Sequence, residues 1–173
     1  LARTAGLGWV GKNTMLIHPK MGSYFFLGEL FTDLALPTTF KTLENKCGSC
    51  NKCIDICPTK AILGPYEIDA RKCISYLTIE HKEDIPIELR PLIGNRIFGC
   101  DDCQLVCPWN KYAKSSPLDD FKPRHNLANV DLLKLFLMDA TDFDNITIGS
   151  ALRRISYEQW LRNIAISLGN ATP

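Results

Sequence analysis

The chain has 173 residues, 46% of them apolar and 23% charged, and a net charge of +1. That balance is ordinary for a globular protein and argues against a globally basic nucleic-acid binder, while leaving room for a local basic patch. The longest apolar runs, such as "LFLM" and "YFFLG", are far too short for a membrane span, and no secretory apolar region opens the chain.

In chain order, Leu1-Ala2-Arg3 reads as the end of a helix already under way, and no methionine starts the chain, so a piece of a longer protein is expected. Gly6, Gly8 and Gly11 bracket Trp9 in a tight turn, and "NTMLIHP" and "SYFFLGELFTDL" predict strands. So short a piece cannot close a sheet around a core of its own. "AGLGWVGKN" has glycines at G-x-G-x-x-G spacing, but no strand precedes it and the phosphate-loop pattern G-x4-G-K-[ST] is absent. Two readings stay open. One is a structural turn; the other is a loop whose backbone approaches a large phosphate-bearing cofactor.

The eight cysteines carry the chemistry. "KCGSCNKCIDICPTKAI" holds four at C-x2-C-x2-C-x3-C-P spacing, and "FGCDDCQLVCPWN" holds three at C-x2-C-x3-C-P. A disulfide framework would suit a small exported chain, and structural zinc prefers C-x2-C pairs separated by a loop. The run found here is that of bacterial ferredoxins, in which the fourth cysteine of each run crosses to the other [4Fe-4S] cluster. On that rule Cys47, Cys50 and Cys53 hold one cluster with Cys107. The other takes Cys57, Cys100 and Cys103, and Cys73 completes it, because two cubes need about eight thiolates and the chain has eight. The plain alternative for Cys73 is a buried free thiol. Pro58 and Pro108 end the ligand loops, and "TKAI" predicts a short helix after the first.

Residues 113–126 read as a polar, proline-containing linker. "NVDLLKLFLMD" predicts an amphipathic helix with an Asn or Asp cap. In "ISYEQWLRNIAISLGN", Ser156 and Gln159 have capping-box spacing, Trp160, Leu161, Ile164, Ala165 and Leu168 share a face, and Gly169-Asn170 ends the helix. His18, His81 and His125 stand alone and read as surface or hydrogen-bonded histidines. Lys82, Arg90, Arg96, Arg153, Arg154 and Arg162 read first as solvated charges.

Taken together, "AGLGWVGKNTMLIHPKMGSYFFLGE", "DARKCISYLTIEHK", "IELRPLIGNRIFGCDDCQLVCPWN" and "RRISYEQWLRNIAISLGNA" closely resemble the epoxyqueuosine reductase family over nearly the whole chain. The resemblance implies an α+β chain: the end of an α/β cobalamin-binding module over 1–44, a two-[4Fe-4S] ferredoxin-like domain over 45–112, and a linker with the start of a HEAT-like helical tail over 113–173 that grips tRNA. It implies reduction of the epoxide of epoxyqueuosine, at the wobble position of tRNA, to the alkene of queuosine with release of water. Electrons would come from a flavodoxin- or ferredoxin-type donor and pass through both clusters to cobalamin. A cytoplasmic monomer is expected, with no membrane partner. Corrin contacts are implied for Gly8, Trp9, Gly11, Lys12, Asn13, Ser75 and Asp101, and tRNA contacts for Lys82, Arg153, Arg154 and Arg162. The family's proton-donating aspartate lies upstream of the stretch matching "LARTAGLGW"; none of Asp33, Asp55 or Asp69 sits in its motif. No catalytic acid is therefore assigned, and the chain alone is expected to be inactive.

Two other classes share the cysteines. A reductive dehalogenase-like enzyme would pair cobalamin with two clusters but has no need of an arginine-bearing helical tail. A plain electron-transfer ferredoxin would leave residues 1–44 and the tail unexplained.

Overall fold

Strand β1 (Trp9–Val10) and strand β2 (Leu16–Ile17) form a short antiparallel hairpin, with Trp9 opposite Ile17 and Val10 opposite Leu16. These come from a computed structural model that describes residues 1–38, 42–125, 127 and 130–171. Gly8 is needed here because a Cβ would sit 2.3 Å from the Ile17 carbonyl oxygen. The expected strand over "SYFFLGELFTDL" is not formed. Among the described residues no strand is assigned over this segment, and Phe26, Leu27, Leu30, Phe31 and Leu34 are exposed. A strand needs an adjacent strand to take its hydrogen bonds, whatever its apolar content.

Helix α1 (Lys52–Ile56) follows the first two cysteines and ends at Cys57. After Pro58 the chain makes strand β3 (Ile62–Gly64), paired antiparallel with strand β4 (Glu67–Ile68), in place of the expected helix. Lys60 adopts a φ of 52°, a left-handed conformation that no helix continues through. Tyr66, at φ 69°, turns the hairpin.

Helix α2 (Ile74–Ile79) begins directly after Cys73, and helix α3 (Arg90–Ile93) follows a proline-bearing turn. Helix α4 (Asp102–Leu105) carries Cys103 and stops before Cys107 and Pro108. Helices α5 (Leu132–Phe136), α6 (Ala140–Thr147) and α7 (Tyr157–Gly169) complete the described chain. Each opens on a side-chain cap: Asp131 accepts from Leu133 N–H, Asp139 from Asp142 N–H and Ser156 from Gln159 N–H. Gln159 returns a bond to Ser156 N–H, closing the predicted box.

The chain forms two compact units. The first unites Leu1–Asp69 with Asp102–Ser115, so the N-terminal hairpin and both Cys-Pro turns belong together. The second unites Ala70–Asp101 with Ser116–Pro173. Contacts thus group segments that a serial division into 1–44, 45–112 and 113–173 keeps apart.

The second unit has two apolar clusters. Leu135, Phe143, Ile155, Trp160 and Ile164 form one, and Ile74, Leu77, Ile85 and Ile93 the other. Helix α7 packs against α2, α3 and α5. Its buried face is Gln159, Trp160, Asn163, Ile164 and Ser167, whereas Ala165, expected on that face, is exposed. The face is partly polar because α7 anchors loops: Asn163 donates to the carbonyls of Thr78 and Ile97, and Gln159 to those of Ile79 and His81. Among the described residues no helix is long and apolar enough to cross a membrane.

Candidate metal-cluster site

In the first unit Cys47, Cys50, Cys53 and Cys107 line one cavity of about 270 Å³. Two runs about fifty residues apart thereby contribute to a single ring of thiols. The first run curls because Gly48 takes a φ of 54° and Cys50 N–H bonds back to the Cys47 carbonyl, while Cys53 lies in the first turn of α1. Asn45 ties this loop to the N-terminal hairpin: it accepts from Cys47 N–H at 2.8 Å and donates to the Val10 carbonyl at 2.9 Å.

The Cys107 side is held by Asn110. Its amide donates to the Gln104 carbonyl at 2.7 Å, and its Oδ1 accepts from Ser23 N–H at 2.6 Å. Gly22 permits that approach, since a Cβ there would lie 2.1 Å from Asn110 Oδ1. Trp109 forms a wall of the cavity and meets Trp9 edge to face, ring centroids 4.9 Å apart. Trp9 is buried, and its indole N–H has no hydrogen-bond partner among the described residues.

Burial pushes the Cys53 and Cys107 thiols up from their ordinary value, and the thiols around them add to the effect: Cys107 and Cys47 for Cys53, Cys47 and Cys50 for Cys107. The raised thiols of Cys53 and Cys107 need a nearby cation to become thiolates at neutral pH. Among the described residues no three His, Cys, Asp or Glu side chains are gathered tightly enough for a single metal ion. Four thiols lining one cavity supply the ligand number of one iron–sulfur cube, in keeping with the ferredoxin-like cysteine spacing.

The remaining four cysteines are divided between the two units. Cys57 and Cys103 lie in the first, where Cys57 Sγ accepts from Ala61 N–H at 3.3 Å and the Cys103 carbonyl accepts from Asn13. Cys73 and Cys100 lie in the second: Cys73 caps α2, and Cys100 packs against the Ile74, Leu77, Ile85, Ile93 cluster. Cys73 is half-buried, as the other seven cysteines are.

A family model for a 4Fe-4S double cluster binding domain matches residues 46–110. Over 171 residues, 99% of the chain, the sequence is 60% identical to the epoxyqueuosine reductase of Pseudomonas aeruginosa and 54% identical to that of Escherichia coli. Along nearly its whole length the chain is similar to part of these epoxyqueuosine reductases. It spans 47% and 45% of the length of those two relatives. A crystal structure of epoxyqueuosine reductase with an epoxyqueuosine-modified tRNA-Tyr stem loop matches it with a TM-score of 0.89 at 35% identity, over 98% of this chain and 44% of that one.

Other positions singled out by resemblance to epoxyqueuosine reductases are placed as follows. Gly8, Trp9, Gly11, Lys12 and Asn13 lie on or beside the β1–β2 hairpin of the first unit. Gly8 and Gly11 pack closely on Ile17, Lys12 donates to Asn51 at 2.8 Å, and Asn13 is buried. These residues have packing or hydrogen-bonding roles inside the unit. Ser75, half-buried in α2, and Asp101, exposed before α4, lie in the second unit.

Arg162 is drawn inwards, contrary to the expected solvated face. Its guanidinium donates to the carbonyls of Leu77, His81 and Glu83 and to Asn163 Oδ1, and burial lowers its pKa from the ordinary value. Arg153 pairs with Asp144 at 2.8 Å and Arg154 with Glu80, all four exposed. Lys82 is exposed at the rim of a polar recess shared with Asp84, Ser156 and Glu158. Arg90 and Arg96 bond the carbonyls of Ile85 and Ile93. His18 Nδ1 accepts from Lys20 N–H, and His81 Nε2 meets the Asp84 carbonyl. Sequence reasoning passed over Lys46, Lys52, Lys111 and Tyr112, which line the thiol cavity. Their signal was adjacency to the Cys-Pro runs.

Proposed function

We propose that this chain forms the iron–sulfur part of an enzyme that reduces epoxyqueuosine in tRNA to queuosine. The observation that carries the proposal is identity of 60% along 99% of the chain to an epoxyqueuosine reductase, with seven of the eight cysteines in two ferredoxin-like runs. The reaction removes the epoxide oxygen as water and leaves an alkene, which takes two electrons and two protons. Two [4Fe-4S] clusters, when bound, supply those electrons one at a time, and cobalamin supplies an electron-rich metal centre where a two-electron change can occur.

Cys47, Cys50, Cys53 and Cys107 hold one cluster in this reading, and Cys57, Cys73, Cys100 and Cys103 the other. The protein's work is to keep the thiols in register, shield them from water and direct backbone N–H groups at sulfur, as Ala61 does at Cys57. A corrin beside the "GLGWVGKN" hairpin would meet its backbone and the remaining donors of Lys12, since Asn13 is already bonded to Cys103 and Met15; family resemblance supports this contact, as it does those of Ser75 and Asp101. No residue of the chain is assigned protonation of the departing oxygen. For tRNA, Lys82, Arg153 and Arg154 are the exposed cations of the proposed set, and Arg162 acts by holding the 77–83 segment.

The test is turnover of epoxyqueuosine-containing tRNA by the full-length protein, loaded anaerobically with iron, sulfide and cobalamin and supplied with reductant. Queuosine should accumulate, and Cys47→Ala should abolish it. Cluster-loaded, cobalamin-bound protein that leaves the epoxide intact would overturn the proposal.

A further inference from the structure

We propose that the lysine-rimmed mouth of the Cys47, Cys50, Cys53, Cys107 cavity is the docking face for an acidic one-electron carrier protein. The proposal rests on the cluster reading above and adds where electrons enter. Lys12, Lys46, Lys52 and Lys111 line this cavity, and among the described residues no acidic one does. The chain as a whole carries only +1, so four lysines at one opening are a local concentration of charge. Glu44 and Asp55 are close in sequence but lie outside the lining.

Position and burial separate these lysines by role. Lys12 is half-buried and bonded to Asn51, which makes it part of the wall. Lys46, Lys52 and Lys111 are exposed; Lys46 precedes the ligand Cys47, Lys52 precedes Cys53, and Lys111 reaches over the Tyr112 ring at 4.9 Å. Four thiolates make the loaded site anionic, so one wall lysine serves to offset that charge. Three exposed ones project positive potential into solvent, where it steers an anionic partner and raises its encounter rate. All four cysteines are only half-buried, which brings the cluster edge near the surface where such a partner would sit. The step itself is simple. One electron leaves the carrier's reduced flavin or iron–sulfur group and one enters the oxidised cluster, with no bond made or broken.

The experiment is anaerobic stopped-flow reduction of the cluster-loaded full-length protein by a reduced acidic flavodoxin, and separately by reduced methyl viologen, a small cation, across ionic strength. The variants are Lys46→Gln/Lys52→Gln/Lys111→Gln and a charge-matched control, Lys20→Gln/Lys114→Gln/Lys134→Gln, whose lysines are exposed away from the cavity lining. At low salt the first variant should lose about tenfold in second-order rate with flavodoxin and show a flatter salt dependence. Its reduction by viologen should be unimpaired, and the control should behave as the parent. Iron content and the reduced-state spectrum are read first. A parent protein without clusters would overturn the cluster reading and the docking face with it. Intact clusters with an unchanged flavodoxin rate, or an equal loss with viologen, would overturn the docking face alone.

Discussion

Cys73 stands midway between the two cysteine runs and is assigned to the second cluster because eight thiolates are needed. Cys73→Ala should therefore keep about half of the roughly eight iron and eight sulfide expected for two cubes. Iron analysis with the reduced-state spectrum measures this, and full iron with an unaltered spectrum would return Cys73 to a free thiol. Cys53 and Cys107 give a pH signature in the metal-free protein. Their folded thiol pKa lies above the usual value of 9.0, so the protonated form is favoured by folding. Stability from this source is complete below the unfolded thiol pKa and is lost as pH rises through the folded one. Urea unfolding of apo-protein should thus weaken as pH climbs beyond about 9, a trend that Cys53→Ala/Cys107→Ala reduces. At Arg162 the guanidinium satisfies three carbonyls, and Arg162→Ala should cost about 2 kcal/mol in urea unfolding. The exposed Arg153 and Arg154 pairs should each be worth less than about 1 kcal/mol.

At the scale of elements, α7 shows how local signals and tertiary demands combine. Its start is a capping box, and Ser156→Ala should cost about 1 kcal/mol. Its buried face, by contrast, includes Asn163 and Gln159, whose amides bind loop carbonyls rather than apolar partners. An apolar-only reading of helical period therefore placed Ala165 inwards and overlooked Asn163. The β1–β2 hairpin is equally specific. Gly8→Ala would force a methyl carbon against the Ile17 carbonyl, so this variant should lose the hairpin and, through Asn45 and Val10, loosen the Cys47 loop. Reduced cluster occupancy in Gly8→Ala, with iron retained in Gly48→Ala at lower stability, would separate packing from turn strain; Gly48 has open space for a Cβ but a φ of 54°.

For the molecule as a whole, a net charge of +1 offers RNA no general attraction, so the proposed tRNA contact requires a local set of cations. With Arg162 held by backbone carbonyls, the exposed candidates are Lys82, Arg153 and Arg154. In the full-length enzyme, Lys82→Gln/Arg153→Gln/Arg154→Gln should weaken tRNA binding and flatten its salt dependence by about 0.7–0.9 log–log units for each phosphate no longer neutralised. Turnover at saturating tRNA should change little, because phosphate contacts position the substrate. Unchanged affinity and slope would leave these three as solvated charges.

The cysteine spacing alone announced iron–sulfur chemistry, because ligand loops are local: a few residues, a glycine and a proline decide where each thiol can point. The helix caps at Asp131, Asp139 and Ser156 were legible for the same reason. Tertiary structure decided the rest. Lys60 in the left-handed region turned an expected helix into a hairpin, and among the described residues "SYFFLGELFTDL" forms no strand. The inward turn of Arg162 depended on three carbonyls about eighty residues away in sequence. The gathering of Lys12, Lys46, Lys52 and Lys111 around one cavity likewise joins distant stretches of chain. Local chemistry is written in neighbouring residues, whereas a side chain's partner across the fold exists only once the chain has packed.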